Sequence, residues 1–159
     1  MNKNEIIKVV WDMAKPITDE FGLTLWDVRF EKEGANYFLR IVIDKEGGAD
    51  IDACEKVSRA IDPLLDEVDP IEQSYCLEVW SAGLERDLVR DFHFEMNIGN
   101  PVVIGLFEAI NGEKEPICTL NEYKGKTITV TLPDGEQKEF EISKLRFVRQ
   151  YIEIDFGGK

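Results

Sequence analysis

Along this chain the spacing of apolar residues changes character once, near Leu84, and that change limits what the sequence can fold into. Before it, Ile6, Val9, Val10, Met13, Ile17 and Phe21 recur three and four residues apart, which predicts an amphipathic helix stopped by Gly22. Pro16 has no backbone N–H, so a kink or an early break is expected near Ala14-Lys15. Trp26, Val28 and Phe30 then alternate with Asp27, Arg29 and Glu31. After Gly34-Ala35-Asn36, Tyr37, Leu39, Ile41 and Ile43 alternate with Phe38, Arg40 and Val42, which predicts a hairpin. Asp52 and Glu55 have the spacing of an N-cap and its reciprocal partner. A second helix is expected from there, interrupted at Pro63 and burying Val57, Ile61, Leu64 and Val68. A third strand is expected at about Tyr75 to Trp80, with Leu77 and Val79 on one face. One apolar sheet face must be covered, so this order predicts three strands with two helices on a single side.

After Leu88 the pattern becomes short strands of even spacing. Phe92, Phe94, Met96 and Ile98 belong to a short irregular or helical link. Strands are expected at 101–107, 117–122, 126–132, 136–142 and 146–154. Leu132-Pro133-Asp134-Gly135-Glu136 marks a tight turn, because Pro presets its first position and Gly supplies the left-handed one. Five short strands with little helix predict a small closed barrel. The fold class is therefore α+β, with an α/β domain over 1–84 and a β-barrel domain over 85–159, joined at about 81–98.

The chain carries 32 Asp and Glu against 19 Lys and Arg, a formal charge of −13, which repels bare nucleic acid. Residues 1–84 hold 9 basic and 18 acidic side chains, so most of the excess lies there. That suits a basic protein partner, and it equally suits a solvated acidic surface. No apolar run approaches the roughly 20 residues of a membrane span, and Met1 to Glu5 lead directly into a charged helix, so a cytoplasmic location without a signal peptide is expected. Cys54, Cys76 and Cys118 are odd in number and far apart, which suits neither a disulfide framework nor a zinc site.

Other constellations carry little. Asp44, Glu46, Gly48 and Glu55 imitate part of a calcium loop, but Ala49 stands where the sharp turn needs Gly and a strand precedes it. Gly47-Gly48 before a helix suggests a phosphate cradle, yet Asp50 and Asp52 already occupy that helix end. His93 is the only histidine and has no nucleophile motif beside it, so neither catalytic residues nor a metal or cofactor are expected. Trp11, Trp26, Phe30, Tyr37 and Phe38 read as core rather than as stacking platforms.

The middle third carries a more specific pattern. Ile43-Asp44 precede Gly47-Gly48, followed by Cys54, Ser58-Arg59, Leu65-Asp66, and Tyr75 leading into Leu77-Glu78-Val79. This order resembles the bacterial ribosome maturation factor RimP family. In the corner that follows, Ser81, Gly83, Leu84, Arg86 and Leu88 fit the family's run, while Trp80, Ala82 and Asp87 depart from it. The resemblance implies a KH-like N-terminal domain and an SH3-like C-terminal barrel. It also implies a non-enzymatic factor, without cofactor, that assists assembly of the small (30S) ribosomal subunit and contacts its basic protein S-twelve. RNA contact would be confined to the particle, and a monomer is expected. The candidate partner-binding or junction residues are Ser81, Gly83, Leu84, Arg86 and Leu88, with Arg146 and Arg149 late in the barrel. A corner arginine is more often a local tether than a partner contact, and Gly83 most simply serves a positive-φ turn. The alternative is a generic RNA-binding module whose barrel grips RNA through Lys124, Lys126, Lys138, Lys144, Arg146 and Arg149.

Overall fold

The computed structural model describes residues 1–46, 48–83 and 86–151. The chain divides into two compact units, the first Met1–Gly83 and the second from Leu84 onward. The first has the order α1 (Lys3–Glu20), β1 (Thr24–Glu33), β2 (Asn36–Asp44), α2 (Ile51–Val68), β3 (Tyr75–Ser81). Its sheet runs β1-β2-β3, with β1 antiparallel and β3 parallel to β2. Both helices pack on one face, where Leu39, Ile41 and Ile43 of β2 are wholly buried against Val10, Ala14, Val57 and Ile61.

Helix α1 starts with a capping box that the sequence reading missed. Asn2 Oδ1 accepts from Glu5 N–H at 2.9 Å, and Glu5 Oε2 accepts from Asn2 N–H at 3.0 Å. The helix ends where expected, at Gly22 with φ +70°. The break expected before Pro16 is absent, since α1 continues to Glu20 and buries Ile6, Val10, Ala14 and Thr18. Helix α2 likewise runs through Pro63. A proline forfeits one intrahelical bond and crowds the preceding turn. Burial of a full stripe, at roughly 1.5–3 kcal/mol per large apolar side chain, outweighs that loss.

Two other readings of α2 change. Its N-cap is Asp50, whose Oδ1 accepts from Ala53 N–H at 2.8 Å, rather than Asp52. Its buried stripe is Ala53, Val57, Ile61 and Leu65, while Leu64 and Val68 are exposed. A strict i+4 row from Val57 reaches Leu65, which the looser three-and-four pattern did not separate from Leu64. In β1 a bulge between Leu25 and Asp27 shifts the alternation. Leu25, Val28 and Phe30 face the helices, and Trp26 is buried outside that cluster.

The second unit contains α3 (Asp91–Met96) and the strands β4 (Pro101–Gly105), β5 (Ile117–Tyr123), β6 (Thr127–Thr131), β7 (Gln137–Glu141) and β8 (Phe147–Gln150). Five strands form where five were expected, and Gly135 takes φ +92° in the turn between β6 and β7. The sheet order is β7-β6-β5-β4-β8. Among the described residues β7 and β8 do not pair, so the ladder is an open five-stranded sheet rather than the closed barrel expected. Residues 152–154 of the last expected strand lie outside the described residues. Tyr123 stacks on Phe94 with ring centroids 4.4 Å apart, and its hydroxyl donates to Asp91. Burial foremost, then Asp91, pushes the Tyr123 phenol up to about 12. His93 is fully buried, and its Nδ1 accepts from the N–H groups of Val89 and Arg90 at 2.9 and 3.0 Å, so it acts as a structural cap.

Two substitutions test these features. Asp50→Ala should lower stability by about 1 kcal/mol and Asp52→Ala by less, because only the former removes the cap bond. A Cβ at Gly105 would lie 2.5 Å from Phe147 Cε2. Gly105→Ala should therefore cost about 1–3 kcal/mol in urea unfolding; an unchanged midpoint would contradict the packing.

Candidate protein-interaction surface

The sheet face of the first unit turned away from the helices is organised around Arg40 on the central strand. The β2–β3 register sets Arg40 beside Glu78 and Val42 beside Trp80. Arg40 holds Glu33 through both terminal nitrogens, at 2.8 and 3.0 Å, and donates from Nε to Glu78 at 2.8 Å. Glu31 lies 3.5 Å away. The guanidinium also sits over the rings of Phe38 and Trp80, at 4.5 and 4.7 Å from their centroids. Three carboxylates around one cation leave this cluster negative, although Arg40 is only 6% exposed. The bonds to Glu33 and Glu78 raise the Arg40 pKa further above its ordinary value, so it is cationic at any working pH. Trp80, one of the residues that departs from the family corner, is 40% exposed beside this cluster.

The outer face of α2 extends the acidity. Asp62, Asp66, Glu67 and Asp69 crowd its C-terminal end, and the last turn has no basic residue. Burial first, and then Asp66, Asp62 and Asp69, push the Tyr75 phenol up, which registers the negative field at that end. Between the N-terminal half of α2 and strand β3 runs a groove of about 410 Å³, lined by Ile51, Cys54, Ser58 and Val79 with Asp50 and Glu55 beside them. Burial, then Asp50, raises the Cys54 thiol, so its sulfur lines the groove as a protonated, weakly nucleophilic group.

The candidate junction residues divide between the two units. Ser81 closes β3, and its Oγ accepts from Gly83 N–H at 3.3 Å, with Gly83 at φ +60°. Leu84 lies outside the described residues. In the second unit the carbonyl of Arg86 accepts from Gln150 N–H at 3.0 Å, and buried Leu88 donates its N–H to the Val148 carbonyl at 2.7 Å. Arg146 donates from Nε to the Leu106 carbonyl at 2.9 Å and lies 3.7 Å from Glu115. Arg149 donates to Asp87 at 2.6 Å and covers the Phe147 ring at 3.9 Å. Both late arginines thus make contacts within their own unit. Lys124 faces Glu122 and Glu139, and Lys144 faces Glu141. The Arg40 cluster, which gathers residues 31 to 80 through strand register, was not singled out from the sequence at all.

Removing the central cation should be costly. Arg40→Met should lower the midpoint of urea unfolding, and Arg40→Lys should restore only part, because lysine lacks the fork that engages Glu33 twice. The hydrogen bond from Arg40 holds the Glu33 carboxyl below its ordinary value. A depressed folded-state value means stability that is present above the unfolded value of about 4.3 and lost as pH falls through the folded one. The advantage of the native protein over Glu33→Gln should therefore fade below about pH 4. A constant difference between pH 7 and pH 3 would show that the bond is unimportant.

Residues 13–85, from within α1 to beyond the end of β3, match the RimP N-terminal domain. This match, over somewhat less than half of the chain, places the first unit with the RimP N-terminal domain and supports the RimP family.

Proposed function

We propose that this chain is a non-enzymatic cytoplasmic factor, monomeric and without cofactor, that assists assembly of the small ribosomal subunit. In this reading it binds a basic ribosomal protein, S-twelve, and meets ribosomal RNA only within the immature particle. The observation that carries it is the charge distribution. Between Asp44 and Glu78 there are 11 acidic and 3 basic residues, a field that speeds encounter with a basic protein and opposes a phosphate backbone. The family supplies the ribosomal context.

The second unit supports a positioning role better than the RNA-gripping alternative. Of its six candidate basic residues, Lys124, Lys144, Arg146 and Arg149 face acids of the same unit, and Lys138 lies over the Phe140 ring. We read the first unit as a KH-like arrangement and the second as an SH3-like barrel whose ladder is open along one seam. The absence of a GxxG element between helices fits a KH-like frame that does not clamp nucleotides. Each unit should fold alone. Fragments 1–83 and 86–159, expressed separately, are expected to unfold cooperatively; two unfolded fragments would refute independence.

The binding test compares two ligands at two salt concentrations. The protein should bind S-twelve more tightly than naked small-subunit RNA, with an association rate that slows as salt rises. Asp62→Lys with Asp66→Lys and Glu67→Lys should lower that rate about tenfold or more. Exchanging Lys124 and Lys126 for Glu should leave it unchanged. Equal or tighter binding to bare RNA would favour the RNA module instead.

A further inference from the structure

Strand β3 ends the first sheet, and among the described residues its outer edge takes no fourth strand. Ala82 N–H donates to the Ile43 carbonyl at 2.8 Å, which fixes the phase of the parallel ladder. Residues 76, 78 and 80 turn their backbone groups toward β2, so Leu77, Val79 and Ser81 turn theirs outward. Among the described residues no strand pairs with that edge, and no turn or loop backbone group reaches it.

The two edges of this sheet are managed differently. Strand β1 has a bulge between Leu25 and Asp27 and carries Asp27, Arg29, Glu31, Lys32 and Glu33. Those are the ordinary devices that discourage a foreign strand. Strand β3 is seven residues long, pairs with β2 without a register shift, and has Glu78 as its one charged residue and no proline. An undefended edge beside an apolar groove has the shape required for strand addition.

We propose that β3 takes up an extended basic segment of a partner protein as a fourth strand, with its alternate side chains entering the groove formed by Ile51, Cys54 and Val79. The intervening side chains would project onto the opposite face, where Glu78 and the exposed Trp80 ring receive lysine or arginine. The segment is thus one in which apolar and basic residues alternate. This rests on the reading that the partner is a basic protein, and it identifies where and in what conformation that partner is held. The charge of −8 from Asp44 to Glu78 disfavours the other occupants. A second copy would bring the same charge to the same edge, and RNA has neither amide ladder nor positive charge.

The test uses the full chain and two probes: S-twelve and a synthetic nine-residue peptide alternating valine with lysine or arginine. Amide exchange should show new protection at Leu77, Val79 and Ser81 when either probe binds. N-methylation of alternate peptide amides on the docking side should weaken binding about tenfold or more. Val79→Pro removes an outward N–H without touching the β2 ladder, and Val79→Ala loses comparable packing while keeping that N–H. S-twelve should bind Val79→Pro about five- to tenfold more weakly than Val79→Ala. Equal binding to the two variants, with no protection at the three amides, overturns strand addition and leaves the basic-partner reading standing. Failure of the unaltered protein to bind S-twelve overturns that reading itself. Protection of the same amides that rises with protein concentration alone would assign the edge to a second copy and overturn the proposal.

Discussion

Leu39, Ile41 and Ile43 have no solvent exposure at all, and the first unit is arranged to keep them so. They lie on the middle strand of three, with one neighbour antiparallel and the other parallel. An antiparallel neighbour can follow through a tight turn, and β1 and β2 are joined across Gly34-Ala35. A parallel neighbour needs a crossover, and the helix that makes it must lie on the sheet. Helix α2 is that crossover, and Val57, Ile61 and Leu65 are the residues it contributes to the shared core. Burying β2 thus has two geometric consequences: β3 becomes an edge, and the outer face of α2 lies beside it.

The electrostatics of α2 are not what helix stability alone would select. Its C-terminal end carries Asp66, Glu67 and Asp69 against the negative pole of the backbone dipole, with no lysine or arginine in the last turn. Such placements cost a few tenths of a kcal/mol each at an exposed site. By contrast Lys8 and Asp12, and Lys15 and Asp19, pair along α1 at i and i+4. Helix α1 also ends on acids, Asp19 and Glu20, with no base in its last turn, and α2 pairs Arg59 with Glu55 at 3.6 Å, so the two helices differ in degree. The surplus on α2, five acids against two bases from Ile51 to Val68, is the charge that the proposed basic partner would meet.

The parts legible in the sequence were those governed by local periodicity. Element order, the stop at Gly22, the turn at Gly135 and the five strands after Leu88 all follow from spacing and turn chemistry. The parts that were not legible depend on tertiary competition. Pro16 and Pro63 read as breaks because a missing hydrogen bond is a local fact, whereas the burial that carries each helix through them is not. Asp50 and Asp52 are both plausible caps from composition, and only the backbone geometry at Asp50, extended at φ −94° and ψ 179°, separates them. The bulge at Trp26 could not be anticipated from alternation, since one extra residue reverses the facing of everything before it. Ladder closure in the second unit depends on how far its sheet coils, which strand count does not fix.

Arg40 shows why the candidate surface was harder to read than the fold. In sequence it is one basic residue among the polar members of an alternating strand, flanked by Leu39 and Ile41. Strand pairing places it between the acids of β1 and the acid of β3, where it neutralises part of a carboxylate cluster that would otherwise repel itself. The same pairing sets Trp80 beside it with much of its indole still exposed. An internal arginine therefore already occupies one side of an aromatic and acidic site on this face. A guanidinium or ammonium group from outside would meet the same ring and the surplus carboxylates, so the interaction that stabilises the sheet also shows which chemistry its surface can accept.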